Sequence, residues 1–470
     1  MDRRWFGKIK NVLLWVIPMV LLALPVRAYL FSVFDHNEHM YLAAAEGLAS
    51  GKTLYKDFAF LQMPLQPWGI WFVKVLSFST SWIWSGKTLS WLAWIGVCVT
   101  TFLLVQKGEK TWLSATLVAL CVGLHPTVLR CAMESSNYIL PAWCCLMAWW
   151  NQKHNEKSWG AFAAGCWMAL AVSTKLFYLA FLPFIFLSTP KNKRYWSLAG
   201  ITIGLWPALY YLFRFPDDFF FQNWTFHHMT SAWRASLNSG TGFTWIQKLQ
   251  FFKEWLAHWP TAVWMMAALW VGFQHGKKQG YWQFGLGMAV FVLSIFVAVY
   301  PAPLFEQYML LPWLGGVFLL SQAPRFSFRV WIILALVHVW SDPMGILYRP
   351  FRSSFVSESI AIGEKIKAEG ASSDWNVAGF SPTYGLEAGL TIPDVWRTGI
   401  FLSRLDERLH DDERWIRLMD MDTALTKMQP EVIITGEEGA YDNGLASFAQ
   451  THSYRLLEGT GHLKVWILPK

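Results

Sequence analysis

Residues 35–68 read DHNEHMYLAAAEGLASGKTLYKDFAFLQMPLQPW, and they follow directly on an apolar run from Val12 to Phe31. A run of that length is enough to cross the hydrocarbon core of a bilayer, for which about 20 residues are needed. It comes after Arg3, Arg4, Lys8 and Lys10. It is longer than a secretion signal and no small-residue cleavage site follows it, so it reads as an uncleaved first span starting inside. The polar stretch behind it therefore begins an outward loop, expected to run from Phe34 to Lys87. In that loop Asp35, Glu38 and His39 fall on one face of a helix, at i, i+3 and i+4, with Asn37 and Tyr41 on a neighbouring face.

The whole chain agrees with a membrane setting. Of its 470 residues 54% are hydrophobic and 17% aromatic, while 15% are charged, well under the roughly 25% of soluble domains. The mean hydropathy is +0.29, and 31 tryptophans suit the lipid–water boundary. A soluble enzyme is thereby excluded. The net charge of +8 is unevenly shared: up to Pro350 there are 27 Lys+Arg against 13 Asp+Glu, which leaves 12 against 18 for the tail. The basic excess sits mainly in short loops between apolar segments, so it indicates orientation, with no nucleic acid implied as partner. The six cysteines lie in or beside apolar stretches and show neither a disulfide framework nor zinc spacing.

Apolar segments recur at Val12–Phe31, Thr88–Val105, Leu113–Leu129, Tyr138–Trp150, Ala161–Val172, Leu176–Leu187, Trp196–Phe213, Trp255–Phe273, Trp282–Val299, Tyr308–Leu320 and Val330–Leu347. This predicts an α-helical polytopic membrane protein of about 11 transmembrane helices. Lys107 and Lys110, Lys153 and Lys157, Lys191, Lys193 and Arg194, Lys277 and Lys278, and Arg325 and Arg329 occupy alternate loops, which are therefore cytoplasmic. The long loops 34–87 and 214–254 then face outward, as does the C-terminal tail. Pro64–Phe78, apolar but with Lys74 and two prolines, is expected to lie as an amphipathic helix in the interface rather than cross it. Residues 351–470 form a predicted small extracytoplasmic α/β domain, with strands at Asn376–Phe380, Glu431–Thr435 and Leu463–Leu468 and a helix at Tyr441–Tyr454. No Gly-rich phosphate fingerprint opens its helices, so a binding or structural role is expected of it.

From residue types alone, the carboxylates and imidazoles of residues 35–39 suit a base or a metal site; equally, Asp35 is a helix N-cap and the rest a solvated face. The string 35–68 resembles the first extracytoplasmic loop of bacterial GT-C glycosyltransferases of the protein-mannosyltransferase and aminoarabinose-transferase type (glycosyltransferase family 39). The matching residues are Glu38, Tyr41, Ala43 to Ala45, Gly51, Tyr55, Asp57, Phe58 and Pro64. Weaker similarity extends to STKL around Lys175, FEQYMLLP from Phe305 and PTYGLEAG in the tail. The resemblance implies a GT-C fold and transfer of a sugar from a polyprenyl-phosphate carrier to a hydroxyl or amine of an envelope glycan, lipid or protein, on the outer face of the cytoplasmic membrane.

In that family the catalytic carboxylate usually stands four residues before the Tyr, and here that position is Asn37. An amide is no base, so the role passes to Asp35 or Glu38, or the chain binds its lipid without turnover. The rival reading is accordingly a non-catalytic polyprenyl-lipid binder or a transporter. Transfer requires a carboxylate to activate the acceptor and cations, or a divalent metal, to stabilise the phosphate left behind. Arg130, Lys175, Arg214 and Arg234 are the cationic candidates. Lys175 stands between two short apolar segments, where an ammonium needs a partner or a wet cavity unless it snorkels to the surface. Glu134 is a candidate for orienting the acceptor. His36, His39, Tyr41, Tyr55, Asp57 and Gln62 in the first loop, His227 and His228 in the second, and Glu306, Gln307 and Tyr308 before the tenth segment complete the substrate-binding candidates. Adjacent histidines point in different directions on a helix, which argues against joint metal ligation by His227 and His228.

Overall fold

The structure is a computed structural model that describes residues 23–106, 112–154, 157–236, 242–279, 281–322, 355–401, 421–457 and 463–469. The start of the first expected span, all of the last one, and Lys107, Lys110, Arg325 and Arg329 lie outside these residues. Residues 23–32 are helical and lead into α1 (Asn37–Ala49), whose alanine-rich sequence favours the helix. Asp35 Oδ1 accepts the Asn37 amide at 2.9 Å, and Glu38 Oε1 accepts the Asp35 amide at 3.0 Å, so two otherwise orphaned donors at the start of α1 are satisfied. The position before the helix is His36, which makes no capping bond of its own. Gly51, at φ +79°, turns the chain out of α1.

Pro64 opens α2 (Leu65–Ser77). One side of this helix buries Gln66, Pro67 and Ile70, and Phe72, Val75 and Leu76 are exposed on it, the pattern expected of a helix lying against a hydrocarbon boundary. Next comes α3 (Trp82–Val105), begun by the Ser81 hydroxyl accepting the Trp84 amide at 3.0 Å. The segment predicted from Leu113 to Leu129 is broken: α4 (Trp112–Gly123) and α5 (Pro126–Met133) meet at 59°. Pro126 cannot donate into a continuing helix, and His125 caps the new one by accepting the Thr127 amide.

Helices α6 (Ile139–His154), α7 (Ser158–Thr174), α8 (Leu182–Ser188) and α9 (Arg194–Arg214) follow, with a 3-10 turn, Leu176–Phe181, ahead of α8. α7 and α9 pack backbone to backbone. A Cβ at Gly200 would lie 2.0 Å from the Phe162 carbonyl oxygen, so only glycine permits the approach. The second long loop carries α10 (Pro216–Phe220), α11 (Phe226–Ser236) and α12 (Trp245–Ala257), the last begun by a capping box of Thr244 and Gln247. It is followed by α13 (Trp259–Gln279), α14 (Tyr281–Val299), a 3-10 turn Glu306–Met309 and α15 (Leu310–Gln322).

Among the described residues, two helical stretches, Trp82–Val105 and Lys191–Arg214, are long and apolar enough by themselves to cross a membrane, and the bent α4–α5 pair makes a third if counted as one span. The other expected segments that fall within the described residues are helical too, but shorter or broken by 3-10 turns.

The tail contains α16 (Phe355–Ala368), α17 (Thr383–Glu387), α18 (Met421–Met428) and α19 (Asn443–Thr451) around a four-stranded sheet. Its strands are β1 (Val377–Ala378), β2 (Val432–Thr435), β3 (Arg455–Leu457) and β4 (Lys464–Ile467), in the order β1-β2-β4-β3. β1 runs parallel to β2, and the other pairs are antiparallel. The strand expected over Asn376–Phe380 is reduced to two residues because the chain turns away from Gly379, where the Ile434 carbonyl oxygen lies 2.8 Å from an ideal Cβ position. The expected helix from Tyr441 starts instead at Asn443, after a 3-10 turn. β3 was not anticipated, since its residues are largely solvent-facing and lack an apolar alternation.

Candidate active site

The start of α1 is clasped between α3 and the turn that follows α5. Glu38 and Lys87, the latter one turn and a half into α3, are both completely buried and paired at 2.6 Å. Lys87 Nζ also donates to the carbonyls of Val33 (2.7 Å) and Met133 (2.5 Å), so all three of its protons are used. Burial pushes the Glu38 carboxyl above its ordinary range, and the Lys87 ammonium pulls it back. Such a carboxylate is a structural anchor with little freedom to meet an acceptor. Asp35, by contrast, remains about a quarter exposed. Its Oδ1 receives both the amide and the side-chain NH2 of Asn37, the latter at 2.6 Å, so Asn37 orients the neighbouring carboxylate it cannot itself replace.

Glu134, fully buried after α5, completes a group of three acidic side chains. Gln307 donates to its Oε1 at 2.7 Å and Ser136 to its Oε2 at 3.1 Å. Burial, with further repulsion from Asp35 and Glu38, lifts its carboxyl to about 7. A carboxyl poised there exchanges a proton readily near neutrality.

On the other side of Glu134, Lys175 ends α7. Its ammonium lies 3.5 Å from the Tyr138 ring centroid and within 5.4 Å of those of Phe177 and Tyr308, and it donates to Asn137 Oδ1 at 3.2 Å. The Asn137 amide passes the chain of bonds on to Gln62 Oε1 at 2.8 Å. These rings, with Gln307, line a cavity of about 10 Å³ at Lys175, and burial lowers its ammonium to about 7, with Glu134 among the groups that pull it back up.

His227 donates from Nε2 to the Leu61 carbonyl at 2.8 Å, and burial, with Lys175 also acting on it, lowers it to about 4, so it is neutral. His228 packs on Trp224 instead. Arg234 lies over the Phe305 ring, and burial lowers its guanidinium below the ordinary value. Arg130 is engaged by Glu306 at 2.7 Å, which occupies one phosphate candidate and one sugar candidate with each other. Arg214 lies over Phe215. In the first loop, Tyr41 is buried against Phe60, Tyr55 hydrogen-bonds the Gln62 carbonyl at 2.7 Å, and Asp57 accepts the Thr53 amide. Tyr41 and Tyr55 are buried in the loop, whereas Asp57 stays half-buried. His36 stays exposed beside Asp35 and Phe401.

The tail reaches this site, which the sequence did not reveal. Thr383 Oγ1 and His39 Nδ1 are 2.7 Å apart, with His39 fully buried and lowered to about 3 by that burial. Glu387 Oε1 accepts the Trp82 and Ile83 amides at 2.7 and 2.9 Å and so caps α3 from another part of the chain. Arg397, buried over the Phe58 ring, pairs with Glu46 at 2.5 Å and donates to the Ala43 carbonyl. Lys52 pairs with Asp394. Gly399, at φ +58°, lets the chain turn under His39. Lys87 is the functional residue most open to discovery from sequence: a lone charge in an apolar helix requires a partner.

Among the described residues, no group of three or more His, Cys, Asp or Glu is arranged to hold a metal ion, and at the acidic group it is the Lys87 ammonium that supplies the positive charge.

No protein-family model matches the chain, and no curated protein matches it. Solved structures do. The crystal structure of ArnT, an aminoarabinose transferase, from Cupriavidus metallidurans bound to undecaprenyl phosphate is 13% identical, with a TM-score of 0.62 over 97% of this chain and 98% of that one. The same protein in its apo state gives 13% and 0.58 over the same shares. An Archaeoglobus fulgidus oligosaccharyltransferase tethered to an acceptor peptide gives 10% and 0.46, over 100% of this chain and 75% of that one. The chain thus has a GT-C type fold, mostly helical, as the resemblance of the first loop implied.

Proposed function

We propose that this chain is a glycosyltransferase of the cytoplasmic membrane that moves a sugar from a polyprenyl-phosphate donor to a hydroxyl or amine of an envelope glycan, lipid or protein. The observation that carries the reading is the row formed by Asp35, Glu134 and Lys175 on a GT-C fold: carboxylates at one end and a ring-cradled lysine at the other. Lys175, with Asn137, receives the donor phosphate and stabilises the charge that grows there as the glycosidic C–O bond breaks. Asp35 orients the attacking acceptor, and Glu134, balanced near neutrality, takes its proton. Glu38 and Lys87 hold α1 in place. The transmembrane module spans residues 1–350 in this reading. The alternation of basic loops supports a cytoplasmic N-terminus, and residues 351–470 form a domain on the outer side that buttresses the first loop.

The engagement of Asp35 by Asn37 favours a second reading, a carrier-lipid binder without turnover. The test is reconstitution with labelled polyprenyl-phosphate sugars and envelope acceptors. Product that disappears in Asp35→Ala and Glu134→Gln supports the transferase. Tight binding of undecaprenyl phosphate, weakened in Lys175→Met, without product from any donor supports the binder.

A further inference from the structure

Between α10 and α11 the helix of the second loop opens into a single π turn, Phe221–Thr225, in which the Phe226 amide reaches the Phe221 carbonyl five residues back. In an α-helix each residue turns the chain by about 100°, so side chains five apart point about 140° from each other. The wider π turn brings position 227 round to the side of position 222. Gln222 and His227 meet the same stretch of the first loop, and both bond its backbone.

Gln222 is completely buried and its amide is used at both ends: Oε1 accepts the Phe60 amide at 2.7 Å, and Nε2 donates to the Tyr55 carbonyl at 3.0 Å. His227 faces the Leu61 carbonyl at 2.8 Å, and because a carbonyl only accepts, the imidazole proton is on Nε2. Tyr55 needs such support. Its φ is +70°, a left-handed conformation that bulky side chains rarely adopt and that persists only where the surroundings impose it. The Tyr55 hydroxyl in turn donates to the Gln62 carbonyl at 2.7 Å, so all of these bonds end on the backbone of residues 55–62.

Gln62 carries the arrangement on to the cation. Asn137, itself buried, donates one side-chain proton to Gln62 Oε1 at 2.8 Å and the other to the Thr174 carbonyl at 3.2 Å. With both protons used, only Oδ1 is left to face Lys175 Nζ, at 3.2 Å. If Gln62 moves away, the amide is free to turn its NH2 group toward the ammonium, donor against donor. We propose that Gln222 and His227 are positioning residues for Lys175: the π turn fixes residues 55–62, Gln62 fixes the sense of the Asn137 amide, and Asn137 aims the ammonium. What the aimed ammonium binds rests on the transferase reading; the chain of bonds that aims it does not.

The test compares full-length wild type in lipid nanodiscs with Gln222→Met, His227→Leu, His227→Gln and Thr230→Val, by amide hydrogen exchange and by titration with undecaprenyl phosphate. A glutamine at 227 places an NH2 group where the imidazole Nε2–H lies, and a leucine does not; Thr230 bonds the Phe226 carbonyl of its own helix and serves as control. Exchange in the segments 58–62 and 173–178 is expected to rise about fivefold or more in Gln222→Met and His227→Leu, the effect of one lost hydrogen bond, and to stay near wild type in His227→Gln and Thr230→Val. Undecaprenyl phosphate is expected to bind about fivefold more weakly in the first two variants, with no further loss when either is combined with Lys175→Met, a non-additivity that general loosening of the fold does not produce. Unchanged exchange at 173–178, a loss in His227→Gln equal to that in His227→Leu, or binding losses that add to that of Lys175→Met overturn the proposal. If Gln222→Met does not fold, the two His227 variants decide by themselves. A wild type that does not bind undecaprenyl phosphate, with exchange at 173–178 responding as expected, refutes the phosphate role of Lys175 and upholds its positioning by the π turn.

Discussion

Lys87→Met is the perturbation that most directly tests how α1 is held. The substitution removes the ammonium that pairs with Glu38 at 2.6 Å and leaves an unpaired carboxylate in a fully buried position, together with the Val33 and Met133 carbonyls. Breaking a buried ion pair from one side costs about 3–5 kcal/mol. In Lys87→Met/Glu38→Gln the charge is gone, and the Gln carbonyl still accepts the Asp35 amide. What remains is two carbonyls without a donor, at about 1 kcal/mol each. The double variant is therefore expected to lose about 2 kcal/mol, less than Lys87→Met alone. Titration with SDS in mixed micelles, read by tryptophan fluorescence, measures both. The reasoning is refuted by a single variant that loses less than about 1 kcal/mol, or by a double variant at least as unstable as the single one.

Three further outcomes are expected. The Glu134 carboxyl stands at about 7 against an ordinary 4.5, so the folded state binds its proton more tightly than the unfolded one. Its contribution is most favourable below about pH 4.5 and is lost as pH rises through about 7; relative to Glu134→Gln, the wild type should lose about 3 kcal/mol between pH 4 and 8, as checked by unfolding at a series of pH values. Glu387→Ala removes the cap of α3 and should cost about 1–2 kcal/mol, with faster amide exchange confined to Trp82 and Ile83 and their neighbours; uniform exchange across the tail would point to unfolding of the tail instead. Gly200→Val drives a side chain into the Phe162 carbonyl and should destabilise by about 3 kcal/mol, at the upper end of overpacking, whereas a neutral result in thermal melts would mean that α7 and α9 separate at no cost.

Asp35, Asn37 and Glu38 were legible in the sequence because they belong to one short polar run, residues 35–39, within an apolar chain, and their helical spacing follows from the alanine-rich run behind them. Lys175 was legible as a cation with apolar neighbours. Its cradle was not, because Tyr138, Phe177 and Tyr308 come from three separate segments. Lys87 was passed over as the edge of a loop, and its partner is 49 residues away. The break at His125 was hidden for another reason: the stretch from Leu113 to Leu129 is apolar enough to read as one span, and only the Gly123–Pro126 stretch marks the bend. Contacts of Thr383, Glu387 and Arg397 with residues 39 to 83 leave no local trace, since each side of the interface looks complete by itself in composition.

The docking of Glu387 on α3 has a consequence for how the protein is made. The amides of Trp82 and Ile83 emerge from the ribosome early, and the carboxylate that satisfies them is about 300 residues behind. His39 waits equally long for Thr383, and Glu46 for Arg397. During synthesis, then, the helical segments can be assembled while the Trp82 and Ile83 amides at the start of α3 still lack that carboxylate and α1 is held from one side only. The first loop is finished last, and a chain truncated before residue 383 would leave a helical body whose α1 has never been locked in place.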